Sequence, residues 1–315
     1  MKKPLVFARE FIKGKIITYH IRQDGSYYDE RLKTLNHKKI LSIRETSDLV
    51  QSTIRSGRPF MACRFGSIEL ATVKTFDFEY TRKYDEQKQR MHTFAGVFPE
   101  TVETGKKFAD LMIRKIPSAD LVTIWPQAFE EYYLREYGSE TVQYTMLPSL
   151  SPWLLPDNPW TAALAGKKVL VVHPFAESIV RQYQKRELIY PGTDILPAFS
   201  LEVMKSVQTA GGESDSRFQD WFEAYDYMRE EILKRDFDVA LLGCGAYGFP
   251  LAADIKDAGK QAFHIGGTVQ ILFGILGNRW NNDADVQKYV NEAWVRPLES
   301  EKPKDAQRIE NACYW

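Results

Sequence analysis

With 315 residues, 44% of them hydrophobic, the chain holds enough apolar material for one large α/β domain or two small ones. Forty-two Lys and Arg balance 42 Asp and Glu, which excludes a global field drawing the molecule to nucleic acid or an anionic membrane and leaves phosphate recognition to local groups. Cys63, Cys244 and Cys313 are odd in number, far apart and without zinc-site spacing, so a reducing cytoplasm is the expected compartment. Lys2 and Lys3 open the chain, but Arg9, Glu10 and Lys13 break any apolar run, so neither a signal peptide nor a membrane span is expected.

The first forty residues are polar and irregular, with Asp24-Gly25-Ser26 as a turn signal, and residues 1–44 read as an N-terminal extension. A helix follows, with a cap expected at Thr46, Ser47 or Asp48 and a stop at Gly57. Pro59 to Cys63 is a buried strand, and Leu70, Val73 and Phe76 then continue at helical spacing, so a helix starts at or just after Ser67. Phe98 to Ile116 is helical, Ala119 to Trp125 a strand, Gln127 to Tyr137 an amphipathic helix and Thr141 to Leu147 a strand. Pro148, Pro152, Pro156 and Pro159, with Trp153 and Trp160, make 147–161 a stiff connection, a linker or a wall of the cleft.

Lys167 to His173 is a second buried strand, and 194–200 reads as a short one. Arg217 to Arg235 is a helix with Trp221, Tyr225, Met228 and Ile232 on one stripe and a cap expected at Asp215 or Ser216. Strand 238–243, helix 246–258 and strand 261–266 complete an alternation that predicts a Rossmann-like, doubly wound, mostly parallel α/β sheet over 45–298. Residues 299–315 are charged and proline-marked, yet end in Cys313-Tyr314-Trp315, an apolar end expected to dock.

Chemistry is expected at strand ends. Arg64 and Glu69 flank the glycine corner Arg64-Phe65-Gly66-Ser67-Ile68-Glu69, and such charges are credible only at the carboxyl end of a buried parallel strand, where open α/β sheets bind ligands. A Glu there serves as a base, as a ligand for a divalent ion, or as a partner of Arg64 that steadies the turn. Gly243-Cys244-Gly245-Ala246-Tyr247-Gly248 matches GxGxxG between a strand and a helix. The next strand, however, ends in His264-Ile265-Gly266-Gly267 with no carboxylate for a ribose. A backbone phosphate cradle and a plain tight turn both remain open for this glycine run. His264 and His173 are donors to phosphate or sugar, or packed strand-end histidines. Cys63 and Cys244 read as small core residues.

The stretch Arg64 to Glu69 resembles the Arg-Phe-Gly-Asp-Gly-Glu pattern of the GT-D-type glycosyltransferase domains of bacterial polysaccharide and glycoprotein biosynthesis. Gln261-Ala262 and Ile265-Gly266 are similar to that family's late Gln-Ala-x-x-Ile-Gly segment, and the resemblance covers roughly residues 45–280. It implies a hexosyltransferase-like enzyme that moves a sugar from a nucleotide-diphosphate sugar to a glycan or lipid-linked acceptor. Glu69 would then be catalytic, with Arg64, Gly66, Ser67, Gly243, Gly245, Tyr247, His264, Gly266 and Gly267 binding substrate. It also implies Mn²⁺ or Mg²⁺ at Glu69, an implication that Ser67 weakens, because it replaces the Asp of Asp-x-Glu and a hydroxyl is a poor divalent-ion ligand. The damaged motif motivates a non-catalytic nucleotide- or sugar-binding protein as the alternative, and the GxGxxG match a Rossmann oxidoreductase.

Overall fold

The strand ending at Cys63 lies in the middle of a nine-stranded sheet. The structure, a computed structural model, describes residues 3–23, 33–125, 127–213, 215–309 and 311–315. The strands are β1 Thr34–Leu35, β2 Lys38–Leu41, β3 Phe60–Cys63, β4 Leu121–Ile124, β5 Gln143–Met146, β6 Lys168–His173, β7 Ser200–Lys205, β8 Val239–Leu242 and β9 Gln261–His264. Their order across the sheet is β1-β2-β5-β4-β3-β9-β8-β6-β7, and every pairing except the β1–β2 hairpin is parallel. Among the described residues, helices of eight residues or more are α1 Lys3–Gln23, α2 Ile43–Ser56, α3 Ser67–Asp77, α4 Tyr84–Ala95, α5 Val102–Lys115, α6 Glu130–Tyr137, α7 Ala176–Tyr183, α8 Trp221–Leu233 and α9 Gly248–Asp257.

Parallel strands need apolar cover on both faces, and β3 supplies it residue by residue. Met61 and Cys63 join one core layer with Leu70, Phe108, Trp221 and Phe249 from α3, α5, α8 and α9. Phe60 and Ala62 join the other with Ile54 of α2, Trp160, Ile179 of α7 and Phe263. Helices on both faces of a parallel sheet make the expected doubly wound α/β architecture.

Several local expectations shift, each for a physical reason. The α2 cap is Ser42, four to six residues before the expected Thr46 to Asp48. Ser42 accepts from the Glu45 backbone N–H while the Glu45 carboxylate accepts from the Ser42 N–H, a capping box. The α8 cap is Asp220, accepting from Phe222 and Glu223, because Asp215 is engaged with Arg217. The strand expected at 194–200 lies at Ser200–Lys205, where an edge strand tolerates the exposed Glu202-side alternation of Ser-Leu-Glu-Val-Met-Lys. Helix α4, with only Gln87 and Met91 buried, gave too weak a period to be expected.

The N-terminal extension also needs correction. Residues 3–23 are helical, and residues 34–35 and 38–41 pair into the sheet through β2 and β5. The turn signal at Asp24-Gly25-Ser26 lies outside the described residues. At the other end, residues 311–315 dock on segments outside the strands: the Asn278 N–H donates to the Trp315 carbonyl at 3.3 Å, and the Trp315 ring meets Phe175, just after β6, edge-on at 5.7 Å.

Candidate functional site

A cleft of about 590 Å³ opens along the carboxyl ends of the parallel strands. All ten residues singled out in the sequence line it together: Arg64, Gly66, Ser67, Glu69, Gly243, Gly245, Tyr247, His264, Gly266 and Gly267. They come from the ends of β3, β8 and β9, which are adjacent in the sheet, so three strand-to-helix corners share one edge. Trp125 after β4, His173 at the end of β6 and Ser206 to Ala210 after β7 extend the wall, and Arg279, Tyr314 and Trp315 close one side.

The β3 corner is pinned from its neighbour. Trp125 Nε1 and Gln127 Nε2 donate to the Phe65 carbonyl at 3.0 and 3.2 Å, which fixes the backbone where the chain turns into α3. Glu69 lies in the first turn of α3 and its carboxyl folds back over Gly66, occupying the space that a Cβ at residue 66 would need. Burial pushes this carboxyl above the ordinary range, against the opposing pull of its own backbone N–H and of Arg64. Among the described residues the Arg64 guanidinium makes no hydrogen bond or salt bridge, so the expected Arg64–Glu69 pair is a longer-range attraction rather than a contact. Arg64 lies 3.6 Å (Nη1) from where a Cβ on Gly266 would stand.

A second carboxyl escaped the sequence. Glu130 is buried, accepts from Gln127 Nε2 at 3.5 Å and feels Arg64, and desolvation holds it well above the ordinary carboxylate range. Adjacent Glu131 pairs with Lys13 instead. Nothing in Phe129-Glu130-Glu131-Tyr132 distinguishes the two, and only tertiary packing does.

The GxGxxG glycines have separable causes. A Cβ at Gly243 would strike the His173 ring, 2.5 Å from Cδ2, and one at Gly248 would strike the His264 imidazole, so these two glycines make room for two histidines. Gly245 has φ +58°, in the left-handed region, and a Cβ there meets nothing within 4 Å: its position faces open space. Tyr247 is fixed by stacking on Trp221 at 4.5 Å and by its hydroxyl 3.4 Å from Thr209 Oγ1. Burial pushes the Cys244 thiol up to about 12, so it stays a neutral thiol.

His173 accepts at Nδ1 from the Phe175 N–H at 3.0 Å, which assigns the proton of its neutral ring to Nε2. Ser206 Oγ, His264 Nδ1, Gln270 Oε1 and Trp315 Nε1 are buried without a partner among the described residues, and all four side chains belong to the cleft. An unsatisfied buried polar atom costs about 1–3 kcal/mol, so a cluster of them is the mark of a ligand or water site. Sequence reasoning missed Ser206 because it placed the preceding strand six residues early.

Burial drives both histidines down to about 3, with Arg64 adding to the effect at His264. A depressed folded-state pKa contributes stability that is present above about 6.5 and lost as pH falls toward 3. The raised Glu69 and Glu130 carboxyls act with the opposite sign, so the measurement must be a difference. His173→Asn keeps an acceptor for the Phe175 N–H and removes the titration. The stability lost between pH 7.5 and pH 5 in urea melts should shrink by about 2 kcal/mol in this variant. An unchanged difference would mean that His173 is already hydrated and chargeable in the fold.

The described residues of the cleft do not make a divalent-ion site. Among the described residues Glu69 is the only Asp or Glu of the cleft lining, Ser67 stands where a second is needed, and no cluster of three or more His, Cys, Asp or Glu could hold a metal.

The chain is similar to a solved structure described as a highly conserved domain of unknown function 1792 with a distinct glycosyltransferase fold, with TM-score 0.42 and 16% sequence identity over 84% of this chain and 92% of that chain. No family model matches the chain, and no curated protein matches it.

Proposed function

We propose that the protein is a glycosyltransferase that uses a nucleotide-diphosphate sugar without a resident metal ion. One observation carries this reading: a single cleft holds a carboxyl with a raised pKa at Glu69, the Arg64 guanidinium without a partner among the described residues, and an open left-handed glycine turn. The donor's diphosphate takes Arg64 and the backbone N–H groups of Cys244 and Gly245, since the Gly243 N–H already donates to the Val172 carbonyl and only the position of Gly245 faces open space. The neutral donors and acceptors of His173, Ser206, His264 and Gln270 suit hydroxyl groups better than a second charge.

In the transfer, the acceptor hydroxyl gives its proton to Glu69 as its oxygen bonds to the anomeric carbon. The bond from that carbon to the diphosphate oxygen breaks, and its electron pair leaves with the nucleoside diphosphate, whose charge Arg64 stabilises. A carboxylate with a raised pKa is the better base near neutrality, and burial supplies that shift here. Glycans or lipid-linked glycans of polysaccharide assembly are the acceptor class that the resemblance at Arg64 to Glu69 brings.

A thermal-shift series with nucleoside diphosphates, nucleotide sugars and NAD, each with Mn²⁺ or with chelator, tests this. Saturating nucleoside diphosphate, at about 100 times its Kd, should raise Tm by about 4 °C, equally with and without Mn²⁺. Slow release of free sugar from the bound donor separates a transferase from the non-catalytic binder that Ser67 motivates. No shift with any nucleoside diphosphate would overturn the proposal, and a shift with NAD alone would favour the oxidoreductase.

A further inference from the structure

Helix α1 has two apolar faces, and the fold uses one of them. Phe7 packs on Phe78, Tyr80 and Phe129 with ring centroids 5.5, 5.2 and 5.4 Å apart, and Glu10 is buried beside Arg9 and Arg135. Gly14 lies so close to Ala128 that a Cβ would collide with the Ala128 methyl. At 3.6 residues per turn, Leu5, Ala8, Ile12 and Ile16 fall on the opposite side, within a stripe roughly 80° wide. They face outward: Leu5 is 77% exposed, Ile12 59% and Ile16 53%.

Charge is arranged around this stripe. The helix carries Lys3, Arg9, Lys13, Lys15 and Arg22 against one carboxylate, Glu10, in a chain whose charges balance as a whole. Glu10 is 2% exposed and on the packed face. Arg9 and Lys13 flank the stripe on one side and Lys15 on the other. Arg9 and Lys13 reach Glu10 and Glu131, and the Lys15 ammonium lies 5.5 Å above the Phe11 ring, yet all three side chains remain at least partly exposed.

The geometry points to α1 as an interfacial helix that docks the protein on an anionic lipid bilayer. Leu5, Ala8, Ile12 and Ile16 enter the acyl boundary, and Arg9, Lys13 and Lys15 lie level with the headgroup phosphates. A second copy of this chain fits less well, because pairing two such stripes brings their flanking cations together with no exposed carboxylate on the helix to receive them. No helix among the described residues is long and apolar enough to cross a membrane, so the attachment is to the surface. Ala128, on the packed side, follows the cleft residue Trp125 by three positions, at most roughly 10 Å of chain, so docking holds the cleft wall near the lipid.

Flotation of the full chain with phosphatidylcholine vesicles, alone or with about one third phosphatidylglycerol, tests the docking at low and high salt. The wild-type protein should float with the anionic vesicles and less so as salt rises. Ile12→Glu/Ile16→Glu alters exposed positions, so it should keep the wild-type Tm and weaken partitioning at least about tenfold. Lys15→Glu should weaken it several-fold on anionic vesicles only. Wild-type protein that ignores anionic vesicles, or equal partitioning of the double variant, would overturn the proposal. Concentration-dependent dimerisation that the double variant abolishes, without vesicle binding, would assign the stripe to a second copy instead.

Discussion

Glu69→Gln is expected to lower turnover by roughly 10²- to 10⁴-fold while donor affinity stays nearly intact. Glutamine keeps the volume that the carboxyl fills over Gly66, so the β3 corner should retain its shape. What disappears is the proton acceptor. Because Arg64 makes no salt bridge with Glu69, the substitution breaks no ion pair, and a large stability loss is not expected. Removing a desolvated carboxylate even favours folding slightly at neutral pH: its raised pKa marks a charged form that the fold disfavours above the ordinary carboxylate range. The kinetic signature is therefore a fall in kcat with KM for donor unchanged. In the wild type, activity should fall on the acid side at a pH above that of an ordinary carboxylate, and this limb should vanish from the residual activity of the variant. Folded Glu69→Gln protein with full activity would remove Glu69 from the mechanism and turn attention to Glu130, the other carboxyl that feels Arg64.

Glu69 was legible in the sequence for the same reason that the sheet was. A buried parallel strand excludes charge from its interior, so Arg64 at the end of β3 announces the carboxyl edge, while the buried runs of β8 and β9 announce it by the glycines that follow them. The edge strand β7 lacks the buried run, because its alternate residues Ser200, Glu202 and the final Lys205 are exposed, and the wall at Ser206 to Ala210 stayed hidden with it. Helix α1 hid differently: with one apolar face packed and another exposed, its hydrophobic residues surround the axis and the period is blurred. The glycine run was seen but misattributed in part. GxGxxG left a phosphate cradle at Gly243 and Gly245 or a plain tight turn open, whereas in the structure Gly243 and Gly248 clear space for histidine rings that arrive from β6 and β9. No local pattern encodes that, since the rings come from positions 70 residues before and 16 residues after the glycines they press on.

The remaining glycine is therefore the one to test. Gly245→Asn is expected to weaken nucleoside-diphosphate binding about 100-fold, or about 2.7 kcal/mol, while changing stability by less than about 1 kcal/mol. Asparagine tolerates the left-handed backbone better than other side chains, so the φ of +58° can persist. A side chain at residue 245 meets no protein atom within 4 Å, so it has no core to disrupt and only cleft space to fill. Gly57 provides a matched control. It has φ +67° with nothing within 4 Å of a Cβ, but it caps α2 ahead of β3, at the amino end of the sheet. Gly57→Asn should carry the same small backbone cost and bind nucleoside diphosphate as the wild type does. If both variants lose affinity, the effect is backbone strain transmitted through the sheet; if neither does, the diphosphate lies elsewhere in the cleft and the turn at Gly245 is only structural. Loss confined to Gly245→Asn is the outcome that a backbone cradle requires, because a ligand held by N–H groups must approach closer than any side chain allows.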